Sequence, residues 1–267
     1  MKRIITLMTL ICMAPTMADF KTVKVSGFTG SYDKPDGSAT ATELVIPSAK
    51  NTQIEIKLTG IENGYLLTYG DQEFTFENPP AFINDLQDGT WSNVNYSTIG
   101  KNLSSSINSL YTNLDDSSMS LNNFSLQCSE SRFFENYGIQ IIDGCLKNGK
   151  IQLKYLKSTT SRKILNILDE VPEFLGVYAN DTIVKDAKLT INNHKFSFVG
   201  KIQMGMSAKV KISGHSEYQK ENNRIAIRID KAKASFINIK NKIFEELKKS
   251  ESDTMKVKKP YIYLLLK

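Results

Sequence analysis

Apolar and polar residues alternate almost strictly between Lys195 and Ser213, and this stretch is the most informative in the chain. The even positions are apolar apart from Gly200, while the odd positions are mainly lysine, serine and glutamine. Such alternation predicts β-structure with one dry face and one solvated face. If it is unbroken, the run from Phe196 to Ile212 is a strand of about 17 residues, far longer than the usual strand of about 5–6.

A three-residue turn over residues 199–201 would keep the same alternation, so the pattern does not distinguish a long strand from a hairpin. In a long strand, Phe198 and Ile202 are neighbours along one chain segment. In that hairpin, they face each other across two strands. A long strand, curved by a bulge, favours an elongated binding groove, whereas a hairpin favours an ordinary sandwich with a filled core.

Alternation also predicts several strands in residues 20–76, and further strands near 118–128, 149–157, 186–191, 224–230 and 255–266. Three other stretches have apolar residues at intervals of three and four, which predicts helices at 101–114, 162–170 and about 239–249. Ser161 is the expected N-cap of the second helix. Together these elements predict an α+β protein with a long curved antiparallel sheet wrapped around amphipathic helices.

The N-terminus has the pattern of a secretory signal peptide cleaved after Ala18. Lys2 and Arg3 precede an apolar run over residues 4–14, which is shorter than the roughly 20 residues that span a membrane. We therefore expect a soluble exported protein, periplasmic or extracellular. Its expected parts are the signal peptide (1–18), a β-rich region (19–98) and an α+β ligand-binding domain (99–267).

Two cysteines, Cys128 and Cys145, remain once the signal peptide is removed. In an exported protein, pairing is the default, so we predict a disulfide that closes the loop between them. Two free buried thiols and a metal site are the alternatives. A metal site would need more ligands than these cysteines and the distant His194 and His215 provide.

Charge is distributed unevenly along a chain whose formal net charge is +6. Residues 19–180 contain 13 basic and 19 acidic residues, whereas residues 181–267 contain 19 basic and 9 acidic residues. A basic half in an exported protein fits anionic lipid head groups or an acidic partner better than nucleic acid. The alternative is that these lysines are only the solvated face of a sheet.

The chain contains no motif for nucleophilic, zinc, phosphate-binding or calcium-binding chemistry, and we predict no cofactor. Paired carboxylates at Asp115–Asp116 and Glu245–Glu246 are typical of solvated turns and helix faces. A hydrolase built from distant carboxylates, or around His215, is kept as an alternative. We expect a protein that binds rather than catalyses.

The apolar face itself is the positive candidate for a site, because Met204 and Met206 beside aromatic residues suit variable apolar ligands. The alternative is that this face packs on the third helix as core. Lysines are expected to contact anionic head groups, namely Lys209, Lys211, Lys258 and Lys259. The predicted groove is lined by Phe196, Phe198, Ile202, Met204, Met206, Val210, Ile212, Ile225, Ile227 and Ile229.

The order of elements from about Ile183 to Leu266 is a strand, a long alternating strand, a strand pair, the helix KNKIFEELKK and a final strand ending in YIYLLL. This order resembles the tubular lipid-binding superfamily, in particular its small bacterial periplasmic members. The resemblance implies acyl chains held in an apolar tube, and hence lipid binding or transfer at the cell envelope. A half-barrel lipoprotein carrier would have the same ligand class. A structural or interaction module, such as an adhesin or an envelope assembly factor, is the alternative from another class.

Overall fold

The computed structural model describes residues 23–46, 49–62, 64–77, 86–99, 102–115, 117–129, 137–160, 181–204, 206–249 and 251–266. These residues form sixteen β-strands and two short α-helices, and the neighbouring strands whose register is defined pair in antiparallel fashion. The α+β prediction, with a sheet wrapped around amphipathic helices, is therefore wrong. The protein is mostly β. Segments whose apolar spacing fits both a helix and a strand become strands because they hydrogen-bond to a neighbouring strand.

The chain divides into two compact units, Met1–Ser120 and Leu121–Lys267. In the N-terminal unit, the strands lie in the order β7–β6–β1–β2–β3–β4–β5. Buried and exposed side chains alternate along parts of several of these strands, for example around Ala39 and Ala41 of β2, as expected for a sheet with one apolar face. The strands are β1 (Val23–Asp33), β2 (Asp36–Ile46), β3 (Ala49–Ile61), β4 (Gly64–Tyr69), β5 (Gln72–Glu77), β6 (Leu86–Ile99) and β7 (Asn102–Leu114).

The C-terminal unit has the strand order β8–β9–β10–β11–β12–β13–β16–β15, with β14 paired to β13. Strand β8 (Ser117–Ser129) begins just before the unit boundary. The other elements are α1 (Tyr137–Lys147), β9 (Asn148–Thr160), β10 (Asp181–Asn192), β11 (Lys195–Met204), β12 (Met206–Gln219), β13 (Arg224–Ala234), β14 (Ile237–Asn238), α2 (Lys240–Lys249), β15 (Met255–Lys258) and β16 (Tyr261–Leu265).

The helix predicted at 101–114 is wrong, because this segment is strand β7. Leu103 and Ile107 are both buried, and a spacing of four residues fits one face of a strand as well as one face of a helix. Serines are poor helix formers, and here Ser109 instead joins Ser92 of β6 through a 2.7 Å hydrogen bond between hydroxyls. Pairing with β6 over the whole length of β7 decides the outcome.

The alternating run from 195 to 213 is a hairpin, so the single long strand is wrong. The turn does not lie at residues 199–201, because β11 continues to Met204, which pairs with Met206 at the start of β12. Phe198 and Ile202 are thus neighbours on β11, and Phe198 faces Ile212 across the pair. Alternation persists through a turn when the residues on either side of it form a cross-strand pair, and for this reason the pattern did not reveal the turn.

The third predicted helix is confirmed as α2, and it supplies the core of the C-terminal unit. Phe244, only 1% exposed, packs with Ile243 against Ile229, Val257 and Ile262 of the sheet. The second predicted helix, 162–170, lies outside the described residues. Of the described chain, no helix is long and apolar enough to cross a membrane.

A disulfide joins Cys128 of β8 to Cys145 of α1, with the two Cα atoms 4.7 Å apart, so the predicted pairing is confirmed. Helix α1 was not predicted from the sequence. Its C-terminal end is held by two further bonds, from the Ser216 hydroxyl to the Leu146 carbonyl and from the His194 amide to the Lys147 carbonyl. The disulfide thus links this short helix covalently to β8.

Replacement of both cysteines, C128S with C145S, should lower the free energy of unfolding by about 3 kcal/mol, because the bond restricts the unfolded chain over a separation of 17 residues. Urea denaturation monitored by circular dichroism measures the change. Reductant should lower the stability of the wild-type protein to the level of the double variant and leave the variant unchanged. Equal stability of the two proteins under oxidising conditions would contradict the prediction.

Candidate functional site

Strands β10 to β13 separate apolar and basic side chains onto two faces. Residues that pair directly across antiparallel strands project to the same side. Phe198 pairs with Leu189 on one neighbour and with Ile212 on the other, and Ile212 pairs with Ala232. We call this side the apolar face. It carries the described members of the predicted groove on β11, β12 and β13.

Helix α2 covers the part of the apolar face formed by β13, β15 and β16. Ile229 belongs to the buried cluster around Phe244, while Ile212 and Ile227 are partly buried against it. Of these three predicted groove residues, Ile229 is thus part of a packed core, and Ile212 and Ile227 lie at its edge. Ile225, also half-buried, pairs with Leu264, which packs against the same cluster.

The remaining groove residues lie on β11 and β12, outside that cluster. Phe196, Phe198 and Ile202 are only partly buried, whereas Val210 is 7% exposed. For Met204 and Met206 the structure describes the backbone and not the side chains.

Two aromatic rings on this face lie beside glycines. A Cβ on Gly200 would be 3.1 Å from Cζ of Phe198, and one on Gly214 would be 2.8 Å from Cε1 of Phe196. The rings thus cover backbone where there are no side chains, as aromatic residues commonly do beside glycines in sheets. The apolar surface of β11 is therefore partly exposed to solvent.

The opposite side of the same strands is basic, and we call it the lysine face. Its lysines are all exposed. Within the described part of the chain, only Lys201 among them forms an ion pair, with Asp186 at 3.9 Å. The members are Lys185 and Lys188 of β10, Lys195 and Lys201 of β11, Lys209 and Lys211 of β12, and Lys231 and Lys233 of β13.

The predicted head-group lysines do not line the apolar face. Lys209 and Lys211 alternate with Val210 and Ile212 and therefore point to the other side of the sheet. Lys258 pairs with Tyr261, which in turn pairs with Arg228 on the lysine face. The fourth, Lys259, lies 3.9 Å from Glu245 of α2, and both side chains are more than half exposed.

Like charges stand directly opposite each other on the lysine face. Lys201 pairs with Lys185 on one side and Lys209 on the other, and Lys211 pairs with Lys233. Directly opposed like charges destabilise an antiparallel sheet. The strand register therefore brings cations together at a cost to the free protein.

Two β-bulges increase the number of cations on this face. Between Lys185 and Lys188, β10 has one residue more than β11, and Asp186 there has φ +48°. Without the extra residue, side chains three positions apart would point to opposite faces. A second bulge, at Asp230 of β13, brings Arg228 and Lys231 to one face in the same way.

The bulge at Asp230 contains a cluster of titratable groups around His215, one of the two histidines considered above. Arg228 Nε is 2.9 Å from Asp230 Oδ1, and an Arg228 terminal nitrogen is 3.0 Å from His215 Nδ1. Desolvation alone would raise the pKa of Asp230, but the hydrogen bonds and the positive charge of Arg228, together with the contact with His215, outweigh it and lower that pKa below its usual value. The carboxylate is thus an ion-pair partner of Arg228 and not a free base.

This cluster does not have the geometry of a hydrolase. The arginine donates to His215 Nδ1, and the His215 and Asp230 side chains are 37% and 42% exposed on an open sheet face. His194 lies elsewhere and bonds the Ser216 carbonyl. Asp115 is an exposed turn residue bonded by Gln87, and Asp116 lies outside the described residues.

Other features of the described residues do not add a site. No group of three or more His, Cys, Asp or Glu side chains is arranged to hold a metal ion there. A shallow depression of about 150 Å³ lies in the N-terminal unit between β1, β2 and β3. Comparison of the sequence with protein-family models and with curated proteins gave no match.

Sequence reasoning missed the bulges and the exposed turn after β13. Each bulge shifts the alternation of apolar and polar residues by one position. The extra residue is an aspartate in both cases, but a single aspartate in a strand does not by itself predict a bulge. The turn contains Phe236, 88% exposed, and Ile237, 59% exposed. From the sequence, these two residues are indistinguishable from core residues at the start of α2.

The variant K211T should increase the free energy of unfolding by about 0.2–1 kcal/mol at low salt, because it removes a direct repulsion with Lys233. The gain should shrink at high salt, where the repulsion is screened. Urea denaturation at two ionic strengths measures both effects.

The matched control is K195T, since Lys195 is equally exposed on the same face but pairs with His215 rather than a lysine. It corrects for the β-propensity of threonine. Equal changes in stability and in salt dependence for K211T and K195T would show that opposed lysines do not repel each other measurably.

Proposed function

We propose that the protein is an exported binding protein that holds a lipid acyl chain on the partly open part of the apolar face. We call this part the open strip and define it as Phe196, Phe198 and Ile202 of β11 with Leu189 and Ile191 of β10. The observation that carries the proposal is that these five side chains remain partly exposed beside a core that α2 has already filled. Partly exposed, contiguous apolar surface favours an apolar ligand.

The dimensions of the strip support an acyl chain as the ligand. From Phe196 to Ile202, the strand extends about 20 Å at roughly 3.3 Å per residue. One leaflet of a bilayer's hydrocarbon core is about 15 Å thick, so a single extended acyl chain fits along the strip. Each methylene removed from water contributes about 0.8 kcal/mol, so that a chain in partial contact gains several kcal/mol.

The compartment fits the same proposal. The disulfide is consistent with an oxidising environment outside the cytosol. The sequence pattern of residues 1–18, interpreted as a signal peptide cleaved near Ala18, supports a location in the periplasm or outside the cell. Both are compartments in which lipids need a protein partner to cross water.

A second candidate is a structural or interaction module without a ligand. Phe244 is 1% exposed and the cluster around it is filled by both helix and sheet residues, as in an ordinary core. This candidate predicts that the open strip contacts a protein partner or only solvent. The two candidates differ in whether the isolated protein takes up lipid.

Wild-type protein should bind a fluorescent fatty acid, and native mass spectrometry of protein purified from a lipid-containing host should detect co-purified lipid. The variant F198S should bind the fatty acid about 10-fold more weakly, because it removes much of the ring's apolar contact. F74S is the matched control, since Phe74 is 46% exposed on a strand of the N-terminal unit.

Absence of both co-purified lipid and fatty-acid uptake in the wild-type protein would exclude the proposal and favour the structural module. Uptake that F198S and F74S leave equally unchanged would place any lipid site away from the open strip. Circular dichroism of the variants verifies that loss of binding is not loss of folding.

A further inference from the structure

The turn that connects β13 to β14 exposes two large apolar side chains side by side. Phe236 is 88% exposed and Ile237 is 59% exposed. The turn is tight, because Ala234 pairs directly with Ile237 and Ser235 has φ +54°. The tight turn therefore holds both side chains in water although neither contributes to the core.

The free protein gains nothing from this exposure. Full burial of a phenylalanine or isoleucine side chain is worth about 1.5–3 kcal/mol, and here most of that is not realised. Single exposed apolar residues are common on protein surfaces, but two adjacent ones at the tip of a turn form a small apolar projection.

The projection is next to the lysine face. The Ser235 amide donates a 2.7 Å hydrogen bond to the carbonyl of Lys209, so the turn is adjacent to that lysine. Lys233 precedes the turn by two residues and pairs with both Lys211 and Asn238. An apolar tip and three exposed lysines without ion pairs in the described chain thus share one end of the sheet.

We propose that the Phe236–Ile237 turn inserts into the surface of an anionic lipid bilayer while Lys209, Lys211 and Lys233 contact its head groups. The apolar side chains are removed from water at the level of the acyl chains. Each lysine near the anionic surface adds an electrostatic attraction to the binding free energy. The opposed lysines then lie against negative charge, which removes their mutual repulsion. This proposal does not depend on the acyl-chain site, which is on the other face of the sheet.

A bilayer accounts for both features, whereas a soluble polyanion accounts for one. A soluble polyanion would neutralise the lysines but would leave Phe236 and Ile237 in water. The cations also spread over four neighbouring strands, β10 to β13, and not along a single groove. A two-dimensional array suits a surface whose negative groups are distributed in two dimensions.

Co-sedimentation of the purified protein with vesicles tests the proposal. The protein should bind vesicles of phosphatidylcholine mixed with phosphatidylglycerol, and should bind pure phosphatidylcholine vesicles weakly. The double variant F236S with I237S should bind the mixed vesicles at least about 10-fold more weakly. The triple variant K209Q, K211Q and K233Q should lose about 100-fold, and wild-type binding should weaken with added salt.

Matched controls use similar residues elsewhere. I61S with F74S removes two exposed apolar side chains of the N-terminal unit, which are 43% and 46% exposed. K57Q with K220Q and K248Q removes three exposed lysines outside the lysine face. Both controls should bind the mixed vesicles like the wild-type protein. Losses equal to those of the test variants would show non-specific adsorption and overturn the proposal.

A fluorescence measurement tests insertion separately from charge. Tryptophan emission of F236W should shift to shorter wavelength when mixed vesicles are added, whereas the wild-type protein, which reports only Trp91, should show no shift. Binding of the wild-type protein to soluble polyphosphate but not to mixed vesicles would overturn the bilayer in favour of a polyanion. Fatty-acid uptake should be the same in wild-type protein and F236S with I237S, so the failure of one proposal does not imply failure of the other.

Discussion

The register between β10, β11, β12 and β13 is the constraint on which the rest of the C-terminal unit depends. Packing of Ile229 and Ile262 against Phe244 of α2 fixes which residues point inward. Side chains alternate along each strand, and the bulges at Asp186 and Asp230 shift that alternation by one residue, so the same register places the lysines of these strands on the other side. The core and the basic surface are thus two consequences of one register, and a shift by one residue would exchange them.

Much of this could be predicted from the sequence, because alternation is a local signal. It located β11 and β12, and the spacing of Ile239, Ile243, Phe244 and Leu247 located α2. The predictions that are wrong concern segments whose structure depends on pairing with another strand. Leu103 and Ile107 fit helix and strand equally, and only pairing with β6 makes the segment a strand. The turn between Met204 and Met206 could not be located for the same reason. Met204 and Met206 pair across the hairpin, so apolar residues stay at even positions on both strands.

The candidate site was predicted in part. The groove residues whose side chains are described lie on one face, but burial cannot be calculated from alternation, and the cluster around α2 includes Ile229 and contacts Ile212 and Ile227. The lysines were assigned to the same ligand as the apolar residues, although two-residue periodicity alone places Lys209 and Val210 on opposite sides. The two bulges were not predictable, because an extra residue such as Asp186 changes the facing of a lysine without changing composition or spacing enough to be recognised.

The separation of the two faces has a consequence for any lipid-related function. A ligand that lies along Phe198 cannot have its head group on Lys211, because the sheet is between them. The proposed contact with anionic lipid and the proposed acyl-chain site therefore use different parts of one sheet. The turn at Phe236 follows β13, whose side chains belong to both faces, so a bilayer that contacts this turn also approaches the end of the apolar face. The two proposed sites thus differ in chemistry but are adjacent in space. The mutual repulsion of the opposed lysines is relieved against a charged surface, which is a physical reason to expect that the proposed docking precedes the proposed uptake of an apolar chain.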